Sequence, residues 1–455
     1  MVHSFRFSDL YLILDVESGA LHAVDKLTYD LLPFYGTETA NIIRLFPQYA
    51  PNDIEEALCD LTALESRGEL NAAVSGIPEM GDPVIKALCL HVAHDCNLRC
   101  DYCFASTGDF HTGRALMPFE VGKAALDFLV AKSGNRNNLE VDFFGGEPLM
   151  NFDVVKRLTA YGRTLEVTAG KSIHFTLTTN GVALDEDATE FCNREMFNVV
   201  LSLDGRKSIH DTVRKTVNGK GSYDVVYDNI LRTARLRQEQ GFSHYVRGTF
   251  THNNLDFSRD VLFLADLGFK QLSIEPVVLP SDSPLSLKEE DLPAIFSEYE
   301  ILTKEYVSRR QNDRWFNFFH FMVDLKNAPC LGKRIKGCGA GDEYIAVTPE
   351  GDIYPCHQFV GGPFKMGNVL TGEFAETLRT QFRESNLSTK PACRNCWAKY
   401  FCSGGCAANS YNSNGDINSP YTLACEMQKK RLECALYVYA AELLADKSEN
   451  PLRSL

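Results

Sequence analysis

Strand-like and helix-like segments alternate along the middle of this 455-residue chain, and this alternation limits its possible folds more than any other feature. Amphipathic segments such as 118–133 and 223–240 separate six short strand-like runs. These runs are Lys86–Val92, Leu139–Phe143, Ile173–Thr178, Asn198–Leu203, His244–Phe250 and Gln271–Pro276. The pattern predicts an α/β fold with a parallel sheet and external helices, in the form of a partial (β/α)6 barrel open on one side.

The regions on either side of the alternating part have different patterns. Residues 1–80 show three short strand patterns followed by three helical ones, which predicts a small α+β unit. Residues 76–83 have the composition of a linker, rich in Gly and Pro. We therefore expect three domains, at 1–80, 81–310 and 311–455, in agreement with the length of the chain.

Composition narrows the possible functions. The formal charge is −14, which disfavours nucleic acid as the main partner because phosphate binding requires a basic surface. The chain has no apolar run long enough for a membrane-spanning helix, and its first residues lack the layout of a signal peptide. We expect a cytoplasmic protein without a membrane partner, whose 15 cysteines bind metal rather than form disulfides.

Three cysteines follow the first predicted strand with the spacing C-x3-C-x2-C, at Cys96, Cys100 and Cys103. A [4Fe–4S] cluster takes four ligands, usually cysteine thiolates. Three thiolates leave one iron open, and an open coordination position is where a metal site performs chemistry. Zinc is the alternative, but it would need a fourth Cys or His nearby, and only His91 and His94 lie upstream.

Short polar or glycine-rich motifs end the next three predicted strands. They occupy residues 144–148 (FGGEP), 179–181 (TNG) and 202–205 (SLDG). Because active residues of barrels lie at the C-terminal ends of the strands, we expect these motifs to lie near the three-cysteine loop. Taken alone, the Gly-Gly motif is just as typical of an ordinary strand-to-helix turn as of a binding site.

A second cysteine array occupies the C-terminal region. Its members are Cys338, Cys356, Cys393, Cys396, Cys402, Cys406 and Cys425. One or two four-cysteine zinc sites would also explain such an array. The three-cysteine loop favours iron–sulfur chemistry for this half of the chain as well.

The three-cysteine loop, with an aromatic residue before its last cysteine, resembles the signature of the radical S-adenosylmethionine (SAM) enzymes. In that superfamily the open iron chelates SAM and splits it reductively to a 5′-deoxyadenosyl radical. The resemblance implies that Cys96, Cys100 and Cys103 hold the SAM-binding cluster. It also implies SAM contacts by Tyr102, Gly145, Gly146, Glu147, Asn180, Ser202 and Arg214.

Each of these contacts has an expected role. The two glycines would let the backbone approach the SAM ammonium, with charge added by Glu147. Asn180 and Ser202 would reach the ribose hydroxyls, and Tyr102 would line the adenine. The planar guanidinium of Arg214 would pair with the SAM carboxylate.

The C-terminal array resembles the seven-cysteine SPASM domain, which binds two auxiliary [4Fe–4S] clusters. The resemblance implies one cluster on Cys393, Cys396, Cys402 and Cys425, and another on Cys338, Cys356 and Cys406. The fourth ligand of the second cluster is Cys330, a substrate thiolate, or an open position. The expected cofactors are therefore SAM and three [4Fe–4S] clusters.

The unit at 1–80 resembles the winged-helix-like recognition domain of peptide-modifying enzymes, in which a leader peptide adds a strand to a sheet edge. With the segments 8–25 and 337–361, the whole layout resembles the maturases of six-cysteine (SCIFF) peptides. This resemblance implies a sactisynthase or ranthipeptide synthase, which forms thioethers between cysteine sulfur and carbon in a ribosomal Cys-rich precursor peptide. The basic run at 333–336 is a candidate docking site for a flavodoxin or ferredoxin electron donor.

Two other functions are considered. Anaerobic sulfatase maturases, which oxidise Cys or Ser to formylglycine, resemble this chain in barrel and SPASM domain. They usually carry an aspartate after the cysteine of the Tyr-Pro-Cys motif, where this chain has His357, and they lack a unit like 1–80. These departures favour the thioether enzyme, with His357 as a candidate proton acceptor. A non-catalytic iron–sulfur electron carrier would not need the three-cysteine loop or the Gly-Gly-Glu motif.

Overall fold

The computed structural model describes residues 1–74, 83–312, 314–325 and 331–449. Cys330 and nearly all of the predicted linker at 76–83 lie outside the described residues. No helix within the described part of the chain has the length and apolar character needed to cross a membrane.

The N-terminal unit consists of a small sheet followed by three helices. Its elements are β1 (Val2–Phe7), β2 (Leu10–Asp15), β3 (Leu21–Val24), α1 (Lys26–Leu31), α2 (Thr39–Leu45) and α3 (Pro51–Ser66). The strands pair antiparallel in the order β1-β2-β3. One set of apolar residues, including Phe5, Phe7 and Leu12, joins the main core of the protein. The helices bury Leu31 and Ile54 in a separate small core.

The central region contains the predicted alternation of strands and helices. Its elements are β4 (Ala87–His94), β5 (Leu98–Cys100), β6 (Ala115–Leu116), α4 (Phe119–Lys132), β7 (Asn138–Gly145), α5 (Phe152–Ala169), β8 (Ser172–Thr179), α6 (Glu186–Glu195), β9 (Asn198–Ser202), α7 (Lys207–Val213), β10 (Arg214–Thr216), α8 (Tyr223–Glu239), β11 (Ser243–Phe250), α9 (Phe257–Asp266), β12 (Gln271–Pro276) and α10 (Leu292–Gln311). Six strands form the parallel sheet β4-β7-β8-β9-β11-β12. This confirms the predicted partial barrel.

The C-terminal region extends this sheet at both edges, which the sequence patterns did not predict. Its elements are β13 (Asn317–Phe318), α11 (Leu331–Lys336), β14 (Tyr344–Val347), β15 (Asp352–Tyr354), β16 (Gly367–Asn368), β17 (Glu373–Phe374), α12 (Glu376–Glu384), α13 (Pro391–Arg394), α14 (Lys399–Cys402), α15 (Ala407–Asn414) and α16 (Thr422–Glu449). β13 pairs parallel with β12, and β14 pairs parallel with β4. β15, β16 and β17 then continue antiparallel from β14.

The long helix α16 ties the three regions together. It packs against α10 of the barrel and against β1 and β3 of the N-terminal unit. A nearly fully buried ion pair adds to this contact, since Lys399 Nζ lies 2.6 Å from Glu17 Oε1. The Tyr400 hydroxyl donates to the other oxygen of Glu17 at 2.9 Å. The N-terminal unit is therefore fixed to the cysteine-rich C-terminal region.

Candidate active site

The three-cysteine loop begins directly after β4, at the C-terminal edge of the parallel sheet. Its short strand β5 pairs antiparallel with β10, which places Cys100 opposite Arg214. This pairing brings a residue that lies more than a hundred positions later in the chain next to the cysteine loop. It explains why a single arginine beyond the fourth strand can belong to the site.

The three thiols of this loop lie close enough to affect one another. A charge on Cys100 raises the pKa of Cys96, one on Cys103 raises that of Cys100, and one on Cys96 raises that of Cys103. Burial is the larger cause, and it raises the pKa of Cys96 and Cys100 to about 11. As free thiols they are therefore protonated at neutral pH, and metal binding must release their protons.

The Gly-Gly pair is required by close packing of β7 on the segment that leads into the cysteine loop. A Cβ on Gly145 would lie 2.2 Å from the Ala93 carbonyl oxygen, and one on Gly146 would lie 2.2 Å from that of Asp95. The Gly146 and Glu147 amides donate to these same oxygens at 2.8 and 2.9 Å. The glycines thus hold the base of the loop against the second strand, a role independent of the predicted ammonium contact.

Glu147 is buried and joins the ends of two strands. Its carboxylate accepts hydrogen bonds from the Thr179 hydroxyl at 2.8 Å, the Asn180 amide at 2.7 Å and the Leu149 amide at 3.1 Å. Burial raises the pKa of Glu147, and these hydrogen bonds oppose the shift. The Asn180 side chain in turn donates to Asn97 Oδ1 at 2.7 Å, within the cysteine loop. Both residues therefore position the loop, and their predicted SAM contacts stay predictions.

Tyr102, Asp204 and Arg214 form a buried network beside the loop. The Tyr102 hydroxyl donates to Asp204 Oδ2 at 2.7 Å and accepts from Arg214 Nη1 at 2.9 Å. The Nε of Arg214 is buried without a hydrogen-bond partner. A buried donor without a partner is costly, and a ligand carboxylate would satisfy it. Asp204 was missed as a site residue, although its position in the motif at 202–205 was a usable signal.

Ser202 ends β9 at the same edge of the sheet, where it is half-buried. In the parallel pairing with β11 it stands opposite Arg247. The structure thus brings every predicted SAM-contact residue to one rim of the barrel, together with the three-cysteine loop. The donors, namely three sulfurs and one unsatisfied guanidinium nitrogen, suit a cluster with a chelated SAM.

The C-terminal cysteines separate into two groups in space. Cys393, Cys396, Cys402 and Cys425 line one cavity of about 360 Å³. Burial, with smaller effects of the neighbouring thiols, raises the pKa of Cys393, Cys402 and Cys425. Cys338, Cys356 and Cys406 form the other group, in which burial and the neighbouring thiols raise the pKa of Cys356 and Cys406. This is the grouping that the SPASM resemblance implies. Within the described residues, no three His, Cys, Asp or Glu side chains are arranged to hold a single metal ion.

Cys338 borders a second and larger cavity, of about 770 Å³, between barrel and C-terminal region. Tyr245 of β11 and Glu275 of β12 line its barrel side. The three-cysteine group therefore faces a space that opens from the barrel rim. The candidate fourth ligand Cys330 lies outside the described residues.

His357 lies where the C-terminal region meets the barrel rim. Its ring centre is 5.5 Å from that of Phe104, which follows Cys103, and 5.0 Å from that of Phe144, which precedes the Gly-Gly pair. Its Nδ1 lies 3.3 Å from the Tyr344 hydroxyl. Burial, with a smaller effect of the Arg247 charge, lowers the pKa of His357 to about 4. The imidazole is therefore neutral at physiological pH.

A polar cluster in the large cavity was missed by the sequence analysis. Glu275 lies 3.4 Å from His320 Nε2 and 3.8 Å from Arg431 Nη1, and Arg431 Nη1 lies 3.0 Å from His320 Nδ1. The Arg431 Nε is buried without a partner. These residues come from β12, from the turn after β13 and from α16, so no local sequence motif predicts the cluster.

Comparison with known proteins identifies the two domains. The model of the radical SAM superfamily matches residues 90–254, and that of an iron–sulfur cluster-binding domain, SPASM, matches residues 338–397. The chain therefore has a radical SAM domain followed by a C-terminal SPASM domain. The cofactors of these domains are SAM and iron–sulfur clusters.

Relatives and solved structures of this class cover most of the chain. A cysteine-type anaerobic sulfatase-maturating enzyme of Clostridium novyi (strain NT) is 27% identical over 368 residues, 77% of this chain and 96% of the relative. The structure of anSMEcpe with bound AdoMet and Kp18Cys peptide has a TM-score of 0.64 at 22% identity, covering 79% of this chain and 99% of that one. SuiB of Streptococcus suis, bound to its precursor peptide SuiA, has a TM-score of 0.52 at 18% identity, covering 91% of this chain and 96% of that one.

These relatives overturn the predicted reaction. The expectation of a thioether-forming peptide maturase was wrong, because several similar enzymes that cover most of the chain are named as sulfatase-maturating enzymes. Two departures had favoured thioether formation, namely His357 after Cys356 and the unit at 1–80. Neither is decisive, since a neutral imidazole can take a proton as a carboxylate does. The N-terminal unit also packs as part of the main core.

Proposed function

We propose that this enzyme oxidises a Cys or Ser residue of a protein or peptide substrate to formylglycine, as a maturase of the sulfatase-activating type. The proposal agrees with the named activity of the Clostridium novyi relative, and the match spans 96% of the length of that relative. The observation that carries it is the placement of His357 at the barrel rim, beside the aromatic residues that flank the cysteine loop and the Gly-Gly pair.

The geometry of His357 suits a proton acceptor. Its Nδ1 faces the Tyr344 hydroxyl, which fixes the orientation of the ring. Its Nε2 forms no hydrogen bond with any residue in the described part of the chain, so it is available to a substrate. A base must lie within hydrogen-bond reach of the proton that it takes, and the rim is where the substrate side chain must enter.

The proposed oxidation balances without an external base. When bound, SAM and its cluster supply the radical that removes one hydrogen atom from the β-carbon of the substrate residue. For a cysteine, one electron and the thiol proton must also leave, and water then replaces the sulfur, which departs as hydrogen sulfide. His357 takes the proton. A cluster held by the C-terminal three-cysteine group, whose Cys338 borders the cavity, would accept the electron.

The large cavity offers a path for the peptide. Its wall combines aromatic and apolar side chains, including Tyr245, Phe319 and Met322, with the polar group of Glu275 and Arg431. Phe319 and Met322 are exposed to solvent despite their apolar character. Such a mixture suits an extended peptide, whose backbone needs hydrogen-bond partners and whose side chains need apolar contacts.

Reduction of the enzyme requires an electron donor, and a flavodoxin or ferredoxin remains part of this proposal. The basic run at 333–336 is only partly available to it. Ile335 is buried, and Lys336 pairs with Asp342 at 3.1 Å. Lys333 is exposed at the edge of the large cavity, so the run offers a smaller docking surface than its sequence suggests.

The test is an anaerobic incubation of reconstituted enzyme with SAM, a chemical reductant and a synthetic peptide that contains a sulfatase active-site cysteine. The same peptide with serine in place of cysteine is run in parallel. We expect 5′-deoxyadenosine together with an aldehyde that reacts with a hydrazine reagent, both read by mass spectrometry. His357→Gln should lower aldehyde formation at least tenfold, since general bases contribute about 10²–10⁴-fold.

His357→Asp is the matched variant, because it places a carboxylate base at the same position. We expect it to restore part of the aldehyde yield that His357→Gln loses, while both variants still cleave SAM. A peptide that loses two hydrogens and becomes resistant to thiol alkylation would contradict the proposal. So would full aldehyde formation by His357→Gln.

A further inference from the structure

Lys390 is a buried cation without a counter-charge. The residue is 2% exposed, and its Nζ donates to the Gly404 carbonyl at 3.1 Å. It forms no ion pair with the residues that the structure describes. Asp416, whose carboxylate has an electrostatic influence on Lys390, is exposed and engaged with Ser419 and the Asn418 amide. Asp342, which lines a small cavity together with Lys390, is paired with Lys336 and Arg383.

Two other lysines in the same region show the usual arrangement. Lys399 is buried as well, but the Glu17 carboxylate lies 2.6 Å from its ammonium group. Lys429, beside Cys425, is partly exposed and pairs with Glu426 at 2.7 Å. Burial of a charge costs several kcal/mol unless the charge is paired, so a lone buried ammonium such as Lys390 requires an explanation.

Lys390 lies between the two cysteine groups of the C-terminal region. Its backbone carbonyl accepts from the amide of Cys393, a member of the four-cysteine group. Its side chain borders a small cavity together with Cys338, a member of the three-cysteine group. Gly404, which accepts from the ammonium, lines the cavity of the four-cysteine group. The charge therefore faces both groups.

Thiolate-ligated iron–sulfur clusters on these cysteines would supply the missing negative charge. The thiolates and the electrons of a cluster give it a net negative charge, and net charge is one of the factors that set its reduction potential. A fixed positive charge nearby stabilises the reduced form more than the oxidised form, because reduction adds one electron. The effect is stronger in a buried site than in water, since screening is weaker there.

We propose that Lys390 is the shared counter-charge of the two auxiliary clusters and that it raises the reduction potentials of both. The inference concerns the clusters and does not depend on which substrate residue is oxidised. In this role Lys390 acts on the clusters through its charge.

The experiment measures the auxiliary clusters alone. Cys96, Cys100 and Cys103 are replaced by Ala, so that only the C-terminal clusters remain after reconstitution. Iron content is measured first, and the midpoint potentials are then read by redox titration with electron paramagnetic resonance. Lys390→Met should shift the potentials downward by about 59 mV, which corresponds to a tenfold lower equilibrium constant for one-electron reduction. Lys390→Arg should keep them near the parental values.

Lys429→Met is the matched control, because it removes an ion-paired, partly exposed charge near Cys396 and Cys425. We expect a much smaller shift for it. If Lys390→Met lost iron while Lys390→Arg kept its full iron content, the clusters would be shown to need a positive charge at this position. That result would support the proposal. Parental potentials in fully loaded Lys390→Met would overturn it, and so would loss of iron in Lys390→Arg, which would indicate a packing role.

Aldehyde formation by the otherwise native enzyme is scored separately, so that failure of the proposed reaction is recognised on its own.

Discussion

At the scale of single residues, Gly146 shows how the chain ties its second strand to the cysteine loop. We expect Gly146→Ala to lower the free energy of unfolding by about 3 kcal/mol, because overpacking typically costs 1–3 kcal/mol and the contact here is with backbone. The added Cβ would lie 2.2 Å from the Asp95 carbonyl oxygen and 2.9 Å from that of Gly108. Chemical denaturation and iron analysis of the first cluster measure the effect.

Gly122→Ala is the control for this prediction. Its Cβ would also meet a close neighbour, at 2.4 Å, but that neighbour is the end of the flexible Leu158 side chain. The substitution also lies in helix α4, where Ala is favoured over Gly. We expect a change below about 1 kcal/mol. Equal effects of the two substitutions would show that backbone contact at Gly146 is not the cause.

Arg214 gives the second prediction at this scale. Arg214→Lys keeps the charge but removes the unpartnered Nε and the planar fork that a carboxylate needs. Loss of a hydrogen bond to a charged group costs about 1.5–3 kcal/mol, so we expect SAM to bind about 10- to 100-fold more weakly. Equilibrium dialysis with the reconstituted protein measures this affinity. Lys215→Met, an exposed neighbour paired with Asp101, should leave it unchanged.

At the scale of secondary-structure elements, the docking of the N-terminal unit depends on Glu17 and on helix α14. Glu17→Gln leaves the Lys399 charge buried without its partner, which we expect to cost about 3 kcal/mol. The expected result is faster hydrogen exchange in β1, β2 and β3, measured by mass spectrometry. Glu38→Gln, at an exposed position of the same unit, should stay within about 0.5 kcal/mol of the parent. Unchanged exchange in Glu17→Gln would contradict the proposed docking role.

The elements of the barrel were predictable because each is long enough to show its period. β12 has the predicted bounds, Gln271–Pro276, and each end of the other five strands lies within two residues of its predicted position. The strands β13, β16 and β17 have only two residues each, too few for any pattern. β14 was missed for another reason, since its partner β4 lies far earlier in the chain and the pairing is parallel.

At the scale of the whole molecule, the difference between local sequence signals and long-range contacts explains which site residues were predictable. Cysteine spacing and motifs at strand ends are local signals, so the loop and the rim residues were predictable. The group of Glu275, His320 and Arg431 arises only when distant parts of the chain meet. The reaction was mispredicted because neither the residue after Cys356 nor the unit at 1–80 separates the two reactions. Barrel and SPASM motifs are common to both reactions.

Buried histidines link the whole fold to pH. His210 is fully buried, its Nε2 lies 2.9 Å from the Ser222 hydroxyl, and burial lowers its pKa to about 2. Burial also lowers the pKa of His244, and that of His320 to about 4. Because these pKa values lie below the ordinary 6.5, the unfolded chain binds more protons than the folded one. The stability from neutral histidines is complete above pH 6.5 and is lost as the pH falls below it.

We therefore expect the free energy of unfolding to fall as the pH drops below 6.5, with His210 alone contributing about 1.4 kcal/mol per pH unit. Urea denaturation at intervals between pH 7 and pH 5 gives the slope. His210→Gln should be less stable at pH 7. Its free energy of unfolding should also depend less steeply on pH, by the equivalent of about one bound proton, because glutamine cannot titrate. An equal slope in His210→Gln and the parent would mean that His210 is not neutral in the folded protein.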